Sequence, residues 1–471
     1  MKSKKRKLFK RIISYFILTI FFVISAVVII LWGLGYRWDY HRGTLSKTGI
    51  LSIEVNQDNF NLFIDGRRYF SDSHQIIVKN LLPGDYTVKV EKENFHPWIK
   101  TLTIEPQKIT REESIFLFPQ KPRIETLDSK LVDYRIAKEG LSLITLDKTR
   151  RLLKQIKLFG QQPTKIIESE AIEDFYPNKD GTKVVIRQGA PFSKLLLFNF
   201  ENPEETNELP LEIDKIGKLE WSQDDNKNLF LISEGNLYRI DTSNRPLTLD
   251  LILPSVNDFT IAAKRIFYWT KENNRFVLKQ SNLEGESEEK ILDVAQDTPS
   301  QIIPSPDNAK VLLNRNNNLY LLENKNLKKI AEGVKGVKWS SQSREFLYHT
   351  DCEINLGKFI DNQFSQKLVN RFSQKIDYLD WFPYPGYLIL GSENKIKVIE
   401  EDGQNLLELS SYSRKPEISI KRNFIESQII VLFLKGAKDG FILQKMILDN
   451  PYRKMSFYRP GKIPFSKDLL F

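Results

Sequence analysis

Tyr176-Pro177-Asn178-Lys179-Asp180-Gly181, followed by Lys183-Val184-Val185-Ile186, is one copy of the pattern that decides how this chain folds. An apolar strand ends, a short polar turn follows, and a second apolar strand begins. The pattern returns as Trp221-Ser222-Gln223-Asp224-Asp225 before Asn-Leu-Phe-Leu-Ile, and as Pro304-Ser305-Pro306-Asp307-Asn308 before Lys-Val-Leu-Leu. Further copies are Trp339-Ser340-Ser341-Gln342-Ser343 before Glu-Phe-Leu-Tyr, and Trp381-Phe382-Pro383-Tyr384-Pro385-Gly386 before Tyr-Leu-Ile-Leu. Tyr176 and Trp221 lie 45 residues apart, Trp339 and Trp381 42. Weaker copies fall at residues 261–279 and 418–448. A repeat of about 40 residues holding four short strands is the mark of a β-propeller blade. Two separate β-sandwiches would not produce so regular a period. Residues 129–450 are therefore expected to form a propeller. Eight units are visible between residues 131 and 448, but seven blades stay open, because the first unit lacks a clear opening strand and the last can close onto it.

The turn residues admit two readings. Asp180, Asp225 and Asp307 recur at one position, as a ring of catalytic or calcium-binding carboxylates would. Asp and Ser beside Gly or Asn are also ordinary turn formers that bond their own backbone. Recurrence once per blade favours the structural reading for Asp180, Gly181, Ser222, Asp225, Ser305, Pro306, Asp307 and Ser340. Trp221, Trp339 and Trp381 are expected to pack between blades. This W-S-x-D or S-P-D-N turn resembles the TolB-type propeller repeat of envelope proteins.

Upstream, residues 48–118 alternate with period two: Leu51, Ile53 and Val55, then Phe60, Leu62 and Ile64, then Tyr86, Val88 and Val90. Turn signals interrupt them at Asp65-Gly66 and Leu82-Pro83-Gly84-Asp85, where Pro then Gly suits the centre of a type II turn. The pattern predicts a small antiparallel β-sandwich. Ile64-Asp65-Gly66, Leu82-Pro83-Gly84-Asp85-Tyr86 and Phe95-His96-Pro97-Trp98 resemble the PEGA domain, a short β module of bacterial and archaeal envelope proteins, often set beside a membrane anchor. The likeness covers about 70 residues. This chain has Gln57-Asp58-Asn59-Phe60 where the family's naming residues fall, and Ser71-Asp72-Ser73 in place of its small G-x-T-P turn. Phe95 and Trp98 suit a core plug better than a ligand-stacking pair.

Further upstream, residues 12–34 run 23 positions without a charge. As a helix they reach about 34 Å, enough for a hydrocarbon core of about 30 Å. Residues 1–11 hold seven Lys and Arg and no acid, which predicts a cytoplasmic tail and an outer location for everything that follows. A cleaved secretory signal has a shorter apolar run ending at a small-x-small site, so an uncleaved signal anchor is the expectation. Trp32, Tyr36, Trp38 and Tyr40 stand where the outer membrane interface would lie. Residues 35–47 and 119–128 read as linkers, and 451–471 as an irregular, basic and aromatic tail.

The formal charge of +10 is misleading: without the seven N-terminal cations, 63 basic residues face 60 acidic ones. An outer part so near neutrality argues against a nucleic-acid footprint. Cys352 is the only cysteine, so buried area, not disulfides, must stabilise the fold. No nucleophile elbow, P-loop, dinucleotide fingerprint or H-E-x-x-H occurs. Lys47-Thr48-Gly49 lacks its partner motifs in the right order. Four histidines, His41, His74, His96 and His349, are scattered, and no cofactor or metal is expected. The sequence thus points to a non-catalytic, membrane-anchored envelope protein. Its propeller would dock another envelope protein or a wall polymer, and residues 12–34 would meet the bilayer. The competing expectation is an extracellular propeller glycosidase or lyase working with carboxylates at its axis.

Overall fold

The structure is a computed structural model that describes residues 2–40, 42–137, 142–158, 164–190, 194–209, 216–222, 225–294, 301–323, 325–361, 363–413, 419–423 and 428–449. Residues 451–471, read above as a tail, and Gln223, Asp224 and His41 lie outside these. Apart from one N-terminal helix, the regular structure among the described residues is all β. It divides into two compact units, one within residues 1–121 and one at Pro122–Leu448.

The helix spans Lys2–Gly33. Its stretch Ser14–Gly33, 20 residues, is long and apolar enough to cross a membrane, and Phe21 and Phe22 stand about 70% exposed, at 71% and 70%. Thr19 returns its hydroxyl to the Tyr15 carbonyl at 2.9 Å, so the helix satisfies its own polar side chain. Gly35, at φ +82°, ends it. The stretch read as a linker instead forms a hairpin, Tyr36–Asp39 paired with Thr44–Lys47. Gly43 at φ +62° helps the chain reverse, and Thr48 ties the hairpin's far end back to the Gly35 carbonyl at 2.9 Å.

The sandwich packs a three-stranded sheet (Gln75–Leu81, Gly49–Val55, Ile109–Ile115) on a four-stranded one (Arg67–Ser71, Phe60–Ile64, Gly84–Glu91, Trp98–Ile104). Leu51, Ile53, Phe60, Leu62, Val88 and Val90 are wholly buried between them, each worth about 1.5–3 kcal/mol when removed from water. The first departure from expectation is a parallel pair: Gly49–Val55 runs alongside Ile109–Ile115. The chain changes sheets after Ile104, and Gln107 N–H bonds the Thr48 carbonyl at 3.0 Å, so the last strand enters beside the first from the same end. Asp65-Gly66 forms a two-residue turn with both φ positive, 47° and 81°, the type I′ geometry that suits a twisted hairpin. Gly84 is the second departure. It opens a strand with φ +157°, far from the roughly +80° of a type II turn. The bend is held instead by Tyr86, whose hydroxyl donates to Leu82 O at 2.9 Å.

The second unit is a propeller. Six four-stranded sheets follow one another, with first strands Ile172–Pro177, Ile216–Trp221, Val256–Ala262, Gln301–Pro304, Gly336–Trp339 and Ile376–Trp381; they are blades 2 to 7 here. First strands of successive blades approach one another and so line the axis. A seven-stranded sheet closes the ring. At its centre lies Arg123–Ile136, 14 residues long. Residues 123–131 pair with Gly440–Asp449, and residues 131–136 pair with Ser142–Asp147. One strand thus completes blade 8 and opens blade 1, giving eight blades among the described residues. This corrects the expected linker at 119–128: the propeller starts at Arg123. Local sequence hides this because residue 123 is paired with residue 447, a contact between the two ends of the repeat region.

Blades bury their faces on each other. Phe175, Val184 and Ile186 of blade 2 meet Ile144, Leu146 and Leu153 of blade 1. Tyr134 and Leu143 of blade 1 meet Ile430 and Leu432 of blade 8. A blade with two apolar faces needs two neighbours, which is why the ring must close.

Candidate functional site

The axis is where loops and edges of all blades converge, and its lining is built from the first strands. Five of these carry a one-residue register shift, at Leu131/Asp133, Ile172/Asp174, Ile216/Lys218, Val256/Asp258 and Ile376/Tyr378. A bulge frees a backbone N–H and redirects the side chain beside it. At three of the five the residue after the bulge is Asp, whose carboxylate accepts the next N–H: Tyr134 to Asp133 at 3.0 Å, Phe175 to Asp174 at 2.9 Å, Phe259 to Asp258 at 2.8 Å. That N–H, on the edge of the first strand, is thereby satisfied.

These carboxylates also reach between blades. Arg135 of blade 1 meets Asp174 of blade 2 at 2.5 Å, its guanidinium lying over the rings of Phe175 and Tyr176 at 5.1 and 4.9 Å. Tyr176 donates to the other oxygen of Asp174 at 2.7 Å. Burial, reinforced by that carboxylate, pushes the Tyr176 phenol up to about 12. Lys218 of blade 3 contacts Asp258 of blade 4 at 2.9 Å and lies over the Phe259 ring. Lys338 of blade 6 pairs with Asp380 of blade 7 at 3.5 Å, and Tyr378 donates to that carboxylate at 2.9 Å. A cation on one blade and an acid on the next is therefore a repeated device. These pairs are partly solvated, so each contributes about 0–1 kcal/mol.

The turn residues lie between the first and second strands of their blades. Ser222, Ser305 and Ser340 close their turns through N–H bonds to Asn228, Lys310 and Glu345, each 2.8 Å. Asp180 accepts from Thr182 N–H at 2.9 Å, Asp225 from Asn228 N–H at 2.8 Å, and Asp307 from Ala309 N–H at 3.0 Å. Burial alone would raise Asp225 and Asp307, but hydrogen bonds, first from the Asn228 side-chain amide to Asp225 and from the Ser305 hydroxyl to Asp307, outweigh it and hold both below the usual carboxylate range. Each carboxylate is thus turned into its own turn, and they are not gathered into a ring. Pro306 sits inside one turn, and Gly181, at φ +78°, would bring a Cβ within 3.0 Å of Ser142 and 3.1 Å of Ala137, a tight fit on a backbone that already favours glycine. The three tryptophans share one bond. Trp221 Nε1–H donates to Tyr176 O at 2.9 Å, Trp339 to Ile303 O at 3.0 Å and Trp381 to Lys338 O at 3.2 Å. Every acceptor is the second-last residue of the preceding blade's first strand.

In the sandwich, Ile64 and Trp98 are core residues and Phe95 packs against them. Leu82, Pro83, Gly84 and Tyr86 form the bend described above. Among the described residues no group of His, Cys, Asp and Glu is arranged to hold a metal ion.

One feature escaped the sequence reading. Gln188, Ser233, Thr270, Asn314, His349 and Ser392 each lie at or within two residues of the end of a blade's second strand, opposite Ile172, Ile216, Val256, Gln301, Gly336 and Ile376. All but Asn314 are buried. The signal was present as a polar residue ending each second apolar run, visible once the repeats are aligned by strand instead of by turn. His349 needs Gly336 opposite it, since a Cβ there would lie 2.6 Å from its Nε2. A cleft bordered by Tyr176, Arg187, Gly217 and Lys218 has a volume of about 40 Å³, about the room of one water.

No family model and no curated protein matches the chain. Solved structures do resemble it. A crystal structure of the eukaryotic initiation factor is 9% identical, covers 75% of this chain and 94% of that one, with a TM-score of 0.48. The Dos1 propeller is 14% identical, covering 69% and 94%, with a TM-score of 0.47. An oligogalacturonate lyase in complex with manganese is 12% identical, covering 70% and 98%, with a TM-score of 0.43. The chain shares a β-propeller with such proteins; strand pairing fixes that fold here, and the likeness extends no further.

Proposed function

We propose that this is a membrane-anchored envelope protein whose propeller docks another envelope protein or a wall polymer without transforming it. The observation that carries the reading is the open apolar helix Ser14–Gly33, joined through its hairpin to a compact β module that resembles PEGA. With the basic tail inside, the sandwich and propeller stand on the outer side. The axial face offers mixed polar and aromatic groups, such as Arg135, Tyr176 and Lys218, in the style of a docking surface. Asp174, Asp258 and Asp380 are each bound to a neighbouring blade's cation, a role that competes with proton transfer.

The second reading, a carboxylate-based glycosidase or lyase, draws on the acids of the first strands, Asp133, Glu173 and Asp377 among them. Cross-linking the anchored protein in its own cells should capture an envelope protein or polymer. Turnover of a glycan by purified protein, lost in an Asp133→Asn or Asp377→Asn variant, would replace docking with catalysis. A reporter active only in the cytoplasm, fused to Phe471, should stay silent; activity would reverse the orientation.

A further inference from the structure

We infer that the hairpin after the helix is a second membrane-contact element, seated in the headgroup layer of the bilayer. The inference rests on the anchor reading above. Register places Tyr36 and Trp38 on one face of the hairpin with Lys47 and Leu45 directly opposite them. Trp38 is 51% exposed and Leu45 44%, so this face is open to its surroundings. Tyr40, near the tip, is 87% exposed, and Trp32, one residue before the helix ends, 64%. On the other face Asp39 is buried and close enough to Tyr86 of the sandwich to raise its phenol, after burial and Asp65.

The aromatics are paired with cations. Arg37 lies over the Trp32 ring at 4.5 Å and donates to Trp32 O at 2.8 Å. Lys47 lies over Tyr36 at 5.3 Å. Aromatic rings bearing cations, with one apolar side open, match the headgroup level of a bilayer, where an amphipathic ring meets both oil and phosphate.

Position leaves little choice. Trp38 follows the last residue of the span, Gly33, by five residues, so it stays within about 18 Å of the span's end. The hairpin is not free to swing, because Thr48 N–H and hydroxyl both bond the Gly35 carbonyl at 2.9 Å and Arg37 holds Trp32. Lipid phosphates and the upper acyl chains are the partner that supplies both an apolar and an anionic surface there. The consequence is orientation: a helix alone can rotate and tilt, whereas a helix with a rigid, lipid-seated hairpin holds its sandwich at one face and one height.

The test uses the full chain with Cys352→Ser, reconstituted in vesicles of phosphatidylcholine and phosphatidylglycerol. Single nitroxide labels are placed through L45C, through V28C in the span, and through N274C at an exposed turn of blade 4. Collision rates with oxygen and with a nickel chelate report depth. The L45C label should be protected from the chelate and lie about 5–10 Å into the headgroup and acyl boundary, with V28C deep and N274C aqueous. W38C should repeat the L45C result. If L45C and W38C match N274C while V28C is deep, the hairpin inference is overturned and the anchor stands. If V28C is also aqueous, the anchor reading falls and takes this inference with it.

Discussion

Trp221, Trp339 and Trp381 each hold an indole N–H against a carbonyl of the blade before, so one side chain joins two blades by packing and by a directed bond. Trp221→Phe keeps an aromatic ring but leaves Tyr176 O without that donor in a mostly buried place. The expected loss is about 1–2 kcal/mol, seen as a lower urea midpoint; an unchanged midpoint would mean the bond is replaced by water. His349 behaves differently. Burial pushes its imidazole below its ordinary value of 6.5, so folding favours the neutral form. The resulting stability is complete above the unfolded value and is lost as pH falls through 6.5 toward the folded value. Thermal melts should therefore show His349→Gln to be less sensitive than the parent between pH 7 and 5. Equal slopes for both proteins would remove His349 from the account. Neither role was legible in the sequence beyond residue type: a tryptophan at a strand end reads as packing, but its acceptor lies 45 residues upstream in Tyr176 and only the ring brings them together.

At the scale of elements, turn chemistry explains which repeats were easy to read. Asn273-Asn274, Asn316-Asn317 and Glu393-Asn394 link second to third strands with both φ positive, the type I′ turn for which Asn is suited. Blade 4 departs at its first turn, where Ala263-Lys264 takes the same geometry with φ of 40° and 62°. It has no Ser-Pro-Asp-Asn loop at all, hence the weak copy seen at residues 261–279. A left-handed conformation costs an ordinary L-residue about 1–2 kcal/mol. Ala263→Asn, at an exposed position, should recover about 0.5–1 kcal/mol of that. Chemical denaturation checks it; a lower midpoint would show that the turn is not strained. The hairpin at residues 36–47 was unreadable for a related reason. Four-residue strands with two exposed apolar residues have no core face to reveal their period.

For the whole molecule, closure is the decisive event. Arg123–Ile136 belongs to two blades, and Glu125 on it is bracketed by Arg123 and Lys445 of blade 8. A fragment of residues 122–448 should melt in one cooperative transition. A fragment of 129–448, cut at the boundary that the repeat pattern alone suggests, loses most of the strand that completes blade 8. It should melt earlier and over a broader range in calorimetry. Identical melts would mean that closure rests on the buried faces of blades 8 and 1 alone.

The repeat, the alternation in residues 48–118 and the charge-free run at residues 12–34 were determined by the sequence itself, because each is a local periodicity written in side-chain polarity. Blade type followed from period and turn residues, and the backbone bonds of the turn aspartates could be expected because Asp bonds its own backbone within a few residues. Blade number, the parallel strand in the sandwich, the axial bulges and the ion pairs between blades were decided only by tertiary structure. Each depends on which distant segment becomes a neighbour: residue 123 beside 447, Gly49–Val55 beside Ile109–Ile115, Arg135 beside Asp174. Polarity along a chain encodes which face is buried, but not what will be buried against it.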